Sequence, residues 1–155
     1  MRFARFLIIS VYFGCLSVAP ASASSLDTMV RVKSAHSVEK TIEKAEAFVE
    51  EKKWKVFGRF DHAAAANEFG KQMAPTIVVI FGNPAAGTGA MNKNRLLAID
   101  LPLKALAYQD DNGDVWFAYN TGEWVAEQVF GRHGFNPNPD GMNKMFSAMA
   151  KAATE

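Results

Sequence analysis

Residues 104–120 read KALAYQDDNGDVWFAYN, and this stretch is the clearest indicator of the fold class. Two runs rich in apolar and aromatic residues, 104–109 and 114–120, flank the four residues 110–113, which end in the dipeptide Asn112-Gly113. Because Asn-Gly readily adopts the positive φ angles that hairpin turns need, the pattern predicts two antiparallel strands joined by a hairpin turn. Strands joined by hairpins, rather than by crossover helices, favour an antiparallel sheet.

Three further strands are predicted upstream from alternating or continuous apolar runs: Met29–Lys33, Trp54–Phe60 and Pro75–Phe81. In the second of these, alternation places Val56 and Gly58 on the same side. The third is closed by 82–84 (Gly-Asn-Pro), which predicts a tight turn. Pro102 lacks the N–H that a strand ladder needs, so it marks the edge or start of the next strand.

Helices are predicted over 38–53, 62–69, 123–130 and 142–153, from amphipathic or alanine-rich patterns. Ser37 is the expected N-cap of the first helix, and Gly70 suits a left-handed end to the second. Residues 131–141 are rich in Gly, Asn and Pro and are interpreted as a linker. The predicted fold is an α+β domain with the order β-α-β-β-β-β-α, in which helices cover one face of an antiparallel sheet.

Residues 1–23 differ from the rest of the chain. Arg2 and Arg5 precede an apolar run over 6–16, and Ala21-Ser22-Ala23 follows as a small-x-small cleavage pattern. This order is typical of a secretory signal peptide, and the run is too short to span a bilayer as an anchor. We therefore expect residues 24–155 to form one domain that is periplasmic or secreted, with no stable membrane anchor after cleavage.

The charges are nearly balanced, with 17 Lys+Arg against 16 Asp+Glu. Two of the basic residues and the only cysteine, Cys15, lie in the predicted signal peptide, so 24–155 carries one more acidic than basic residue. A nucleic-acid partner is not expected, because binding to phosphate backbones depends on excess positive charge. The absence of thiols from 24–155 excludes a disulfide oxidoreductase and a thiolate zinc site in that stretch.

A series of short motifs occurs in the middle of the chain: Phe60-Asp61-His62, Gly70, Met73-Ala74-Pro75-Thr76, Ile80-Phe81-Gly82-Asn83-Pro84, Gly87-Thr88 and Asp100-Leu101-Pro102-Leu103-Lys104. This series, together with Asn112-Gly113 and Tyr119, closely resembles the DUF-302 family, a domain of unknown function. The resemblance covers roughly residues 28–151. It implies a β-α-β-β-β-β-α domain similar to the TATA-box-binding-protein-like fold class, and a homodimer. It implies no substrate, cofactor or catalytic residue.

Five residues are predicted to lie around a ligand: His62, Asn83, Met91, Asp100 and Tyr119. His62 could act as a general base beside Asp61, although Asp61 at a strand end is also an ordinary N-cap, which we favour. Gly82-Asn83-Pro84 could begin a phosphate cradle, although a rigid turn is the better interpretation. Asp100 is a lone carboxylate among apolar residues, suited either to acid/base chemistry or to fixing the turn before Pro102.

Metal binding has little support, since His36, His62 and His133 show no ligand spacing. Three methionines, Met142, Met145 and Met149, share one helix face and could hold Cu(I), but a core stripe is favoured. We therefore predict a non-enzymatic homodimer without metal or cofactor that binds a small molecule or an envelope protein. The alternative is a small hydrolase- or isomerase-like enzyme that uses Asp61, His62 or Asp100 as acid or base.

Overall fold

The computed structural model describes residues 28–155, and the predicted signal peptide at 1–23 lies outside them. Five strands form one antiparallel sheet in the order β1-β5-β4-β3-β2. The strands are β1 (Met29–Lys33), β2 (Lys55–Asp61), β3 (Thr76–Gly82), β4 (Leu103–Gln109) and β5 (Val115–Asn120). The predicted antiparallel α+β architecture is confirmed, and so is the hairpin between β4 and β5, where Gly113 has a φ of 83°.

Five α-helices flank the strands: α1 (Val38–Glu51), α2 (His62–Glu68), α3 (Pro84–Lys93), α4 (Gly122–Trp124) and α5 (Asp140–Thr154). A 3-10 turn at Arg95–Ile99 precedes β4, and a π-helical turn at Val125–Phe130 follows α4. Helix α1 begins as predicted, because the Ser37 hydroxyl accepts a hydrogen bond from the backbone N–H of Lys40.

The chain after β3 begins a helix, so the predicted tight turn at 82–84 was wrong. The side chain of Asn83 accepts hydrogen bonds from the backbone N–H groups of Ala85 and Ala86, which caps α3. Pro84 occupies the first helical position, where its missing N–H would have had no partner in any case.

Strand β2 also departs from its predicted alternation. A β-bulge between Val56 and Gly58 adds one residue to the strand, so Val56 and Arg59, rather than Val56 and Gly58, lie on the same face. On that face the Arg59 guanidinium forms ion pairs with Glu39 and Glu46 of α1. The bulge therefore places a cation where it holds α1 against the sheet, and these carboxylates raise the pKa of Arg59.

Helices α1 and α5 pack beside each other on one face of the sheet and form the core with it. The largest fully buried side chains there include Ile42, Val49, Val79, Phe81, Phe117 and Met149. On the opposite face, which we call the open face, the half-exposed apolar side chains are Val78, Ile80, Leu106 and Trp116. Within 28–155, no helix has both the length and the hydropathy of a membrane-crossing segment.

The β4–β5 hairpin is tied together by Asp110. One carboxylate oxygen accepts a hydrogen bond from the indole N–H of Trp116 at 2.9 Å, and the other accepts from the backbone N–H groups of Asn112 and Asp114. These hydrogen bonds favour the charged form of the carboxyl and lower the pKa of Asp110, and the bond from Trp116 has the largest effect.

Candidate functional site

A cleft of about 500 Å³ opens at the end of the sheet where β3 ends, β4 begins and β5 ends. Its aromatic walls are Phe81, Tyr119, Trp124 and Phe146. Its polar lining comprises Asp100, Lys104, Asn120, Gln128 and Arg132. A cleft of this volume, with apolar walls and a few convergent polar groups, is typical of small-molecule sites.

Asp100 enters the cleft from the turn that connects the 3-10 segment to β4. Its backbone N–H donates to the carbonyl of Leu97 at 3.1 Å, which closes the last 3-10 turn. Pro102 then follows and leads the chain into β4, as the sequence predicted. The turn therefore fixes the position of the Asp100 carboxylate, which is 21% exposed.

Two residues from a distant segment bind this carboxylate. The His133 Nε2 atom lies 2.6 Å from one oxygen of Asp100, and the imidazole is only 6% exposed. The Arg132 guanidinium lies 3.3 Å from the other oxygen and is largely in solvent. The side-chain amide of Asn94 donates to the backbone carbonyl of His133 at 3.1 Å, which anchors the segment from a second side. Asp100 and Arg132 line the cleft, whereas His133 lies behind Asp100.

Of the five predicted ligand residues, the structure brings Asp100 and Tyr119 together in the cleft. Tyr119 is 8% exposed and lies on β5. The other three do not line the cleft: His62 is exposed on α2, Asn83 caps α3, and Met91 packs against the core from α3.

The Asp61-His62 pair lies far from the cleft. The Asp61 carboxylate accepts a hydrogen bond from the backbone N–H of Ala64 at 2.9 Å, so it has the N-cap role that the sequence analysis favoured. Asp61 lies opposite Ile77 in the ladder, whereas the cleft begins at Phe81. Four residues of extended strand separate these two positions by about 13 Å.

Sequence reasoning missed Lys104, Trp124, Gln128, Arg132 and His133 as site residues. The last two lie in the stretch 131–141, which has the composition of a linker, yet its first residues form a 3-10 turn, Gly131–His133. The Arg132-His133 dipeptide is the only local signal. No spacing rule connects it to Asp100, which lies more than thirty residues earlier in the chain.

Within residues 28–155, no three His, Cys, Asp or Glu side chains are grouped so that they could hold a metal ion. Met149 is fully buried in the core, and Met142 and Met145 pack against the same core. The structure therefore supports the core interpretation of this methionine stripe over Cu(I) binding.

A family model described as "Domain of unknown function DUF302" matches residues 30–154. A crystal structure of an uncharacterized conserved DUF302 protein from Bacillus stearothermophilus superposes with a TM-score of 0.68 at 19% identity, covering 81% of this chain and 98% of that one. This likeness supports the fold alone.

Curated relatives are named as fluoride-specific ion channels. The chain is 43% identical over 110 residues to FluC 1 of Brucella suis, a match that covers 70% of this chain and 43% of that protein. FluC 1 of Brucella abortus is also 43% identical over 110 residues, which cover 41% of its length. The chain thus spans less than half the length of these relatives.

Proposed function

The chain belongs to the DUF302 family, whose function is unknown, and from this premise we propose that it is an exported domain that binds a small molecule in the cleft beside Asp100. The observation that carries the proposal is the cleft itself, about 500 Å³ in volume, with aromatic walls and polar groups from several separate segments. Its carboxylate is held in place by a buried imidazole, so the wall is preorganised before a ligand arrives.

Binding is favoured over the acid/base enzyme that the sequence left as an alternative. Among the described lining residues, Asp100 is the only carboxylate, and none is Ser, Thr, Cys or His. Asp61 and His62 lie beside the opposite end of β3, so of the three acid/base residues that the sequence proposed only Asp100 lines the cleft. A general acid/base mechanism commonly needs a second positioned group for the return proton.

The test is native mass spectrometry of the protein isolated under mild conditions. We expect a bound small molecule that is lost in Gln128→Trp, because the indole would fill the cleft from an exposed position. The matched control is Glu127→Trp, since Glu127 is exposed next to Gln128 but does not line the cleft. Retention of the molecule by Gln128→Trp, or wild-type protein that carries none, counts against the cleft as its binding site.

The homodimer remains a proposal, and the open face of the sheet supports it. Val78, Ile80, Leu106 and Trp116 are half-exposed there and place apolar surface on three neighbouring strands. Light scattering should give a dimer mass for the wild type and a monomer mass for Leu106→Asp. Leu96→Asp is the control, since Leu96 is 72% exposed on the 3-10 segment. A wild-type monomer would contradict the proposal.

Export also remains a proposal, which the signal pattern in residues 1–23 supports. Expression of the full chain in a Gram-negative host should give a periplasmic protein whose first residue is Ser24. N-terminal sequencing checks this directly, and a cytoplasmic product that begins at Met1 would contradict it.

As a second candidate function, we propose that the domain docks on a membrane channel in the cell envelope. The supporting observation is that a stretch 43% identical to this chain forms part of polypeptides named fluoride-specific ion channels. The tagged chain should co-purify with the Brucella suis channel from which the matching 110 residues have been removed. Recovery no higher than with an unrelated exported domain of similar size would count against docking.

A further inference from the structure

Three aromatic rings form the floor of the cleft. The ring of Phe146, on α5, meets the ring of Phe81 at 89° with 6.4 Å between their centroids. It meets the ring of Tyr119 at 62° with 5.9 Å between their centroids. These edge-to-face contacts hold the rings against one another, and each ring is at most 8% exposed. A ligand therefore meets an apolar floor that is already in place.

The π-helical turn at Val125–Phe130 supplies one wall of the cleft. Val125, Gln128 and Val129 line the cleft from this turn, and Trp124 lines it from the preceding position. Turns of this kind are rare and occur frequently at functional sites. The wall combines aromatic and aliphatic surface with the amide of Gln128, so it suits a ligand that is mostly apolar.

Among the described residues, the side chains that face the cleft carry no net charge. Asp100 and Arg132 have opposite charges, and their side chains lie 3.3 Å apart. Lys104 lines the cleft at the start of β4, but it lies opposite Ile80 in the ladder, so its ammonium belongs to the open face. A charged ligand would lose its hydration without meeting an unpaired opposite charge, and this desolvation favours an uncharged ligand.

The hydroxyl of Tyr119 is a hydrogen-bond donor that opens into the cleft. Tyr119 lies opposite Ala105 in the ladder, on the core face of the sheet. Within residues 28–155 the hydroxyl makes no hydrogen bond, and no enclosed side-chain oxygen or nitrogen in that stretch lacks a partner. The hydroxyl therefore reaches open space, and the cleft is the space that Tyr119 lines. An acceptor atom of a ligand would complete its hydrogen bonding.

The cleft offers a second donor, whereas its carboxylate is engaged. In the described part of the chain, the indole N–H of Trp124 makes no hydrogen bond. Asp100 already binds His133 through one oxygen at 2.6 Å and Arg132 through the other at 3.3 Å. A ligand oxygen that accepts hydrogen bonds thus finds donors without partners, while a ligand donor finds the carboxylate occupied.

We propose that the cleft binds an uncharged small molecule that has a flat apolar ring and a carbonyl group. The ring packs against the aromatic floor and gains about 25 cal/mol for each Å² of apolar surface removed from water. The carbonyl oxygen accepts a hydrogen bond from the Tyr119 hydroxyl, which fixes the orientation of the ring. This inference rests on the proposed ligand-binding function and names the chemical class of the ligand.

The experiment compares three probes that share one phenyl ring, by isothermal titration with residues 24–155, which contain the whole described domain. Acetophenone carries an uncharged carbonyl, benzoate is an anion, and 1-phenylethylammonium is a cation. We expect acetophenone to bind about fivefold more tightly than either ion, or better, because neither ion finds an unpaired opposite charge. This ranking is measured on the wild type and does not depend on the folding of any variant.

Tyr119→Phe tests the proposed hydrogen bond, because it removes the hydroxyl and keeps the ring. It should weaken acetophenone binding about fivefold, the usual contribution of one uncharged hydrogen bond. The matched control is Tyr108→Phe, since the Tyr108 hydroxyl accepts a hydrogen bond from Arg31 at 3.0 Å on the open face, outside the cleft. The control should leave the affinity for acetophenone unchanged, and circular dichroism checks that both variants fold.

The outcomes separate this inference from the proposed function. An ion that binds as tightly as acetophenone, at a site that Gln128→Trp abolishes, would overturn the ligand class and leave the ligand-binding cleft standing. Acetophenone binding that Tyr119→Phe leaves unchanged, or that survives Gln128→Trp, would overturn this inference. So would no binding by any probe at 10 mM (roughly the weakest useful affinity for so small a ligand). The co-purifying molecule tests the ligand-binding function separately.

Discussion

Replacement of Asp100 by Asn tests whether its pair with His133 holds the wall of the cleft. The imidazole is 6% exposed and the carboxylate 21% exposed, so water can replace their contact only poorly. Loss of the hydrogen-bond partner of a buried group lowers the stability of a fold by about 1–3 kcal/mol. We therefore expect Asp100→Asn to lower the free energy of unfolding by about 2 kcal/mol. For a domain of this size, the corresponding fall in Tm is roughly 5–8 °C.

Thermal melts followed by circular dichroism at pH 7 measure this change. The control is Asp111→Asn, since Asp111 is an exposed hairpin carboxylate without an ion pair in residues 28–155. This substitution should change the free energy of unfolding by no more than about 0.5 kcal/mol. A double mutant with His133→Gln measures the coupling energy, expected at about 1–2 kcal/mol. Equal Tm values for the Asp100→Asn and Asp111→Asn variants would refute the reasoning. A double mutant whose destabilisation equals the sum of the two single effects would also refute it.

Three further predictions test other parts of the fold. Gly113→Ala should lower the free energy of unfolding by about 1 kcal/mol because the φ of Gly113 is 83°, whereas Gly141→Ala, in open space on α5, should raise it by about 0.5 kcal/mol. Met149→Ala should destabilise by about 3 kcal/mol, and Cu(I) should not raise the Tm. Asp110→Asn should lower the Tm at pH 6, and its difference from the wild type should shrink toward pH 2, since Trp116 lowers the pKa of Asp110.

The sign of the pH effect follows from the direction of the pKa shift. A carboxyl whose pKa is lower in the folded state stabilises the fold above its unfolded pKa, near 4, and loses that contribution as the pH falls through its folded pKa. A constant difference in Tm from pH 6 to pH 2 would contradict the role of Asp110. Equal effects of the two glycine substitutions would contradict the turn geometry, and a Tm raised by Cu(I) would contradict the core assignment of Met149.

The elements that the sequence predicts correctly are those with local causes. Asn112-Gly113 determines the hairpin because a positive φ is needed there, and Ser37 determines the start of α1 because its hydroxyl reaches a backbone N–H three residues later. Helix α3 was missed because Gly87 and Gly89 lower helix propensity, while the Asn83 cap and its following proline favour a helix start.

The cleft could be predicted only in part because its polar groups come from distant segments. Asp100 was predicted because it is a lone carboxylate among apolar residues, and Tyr119 was predicted from the family resemblance. Their neighbours Arg132 and His133 lie in a stretch whose Gly, Asn and Pro content is typical of a linker. The pairing with Asp100 arises only when the helical turns after β5 bring the chain back over the end of the sheet, a long-range contact that composition does not encode.

The pairing of the first strand with the last has a consequence for the order of folding. Met29 of β1 lies opposite Asn120 of β5, with all the other strands between them in the sequence, whereas β2 to β5 pair with their neighbours along the chain. Closing so long a loop costs more conformational entropy than closing a hairpin and is therefore slower, so β1 should join the sheet late. Until it does, β5 presents an unpaired edge that another chain can extend. Backbone amides of β1 should therefore gain hydrogen-exchange protection after those of the β4–β5 hairpin, and refolding at high protein concentration should lose material to association through β5.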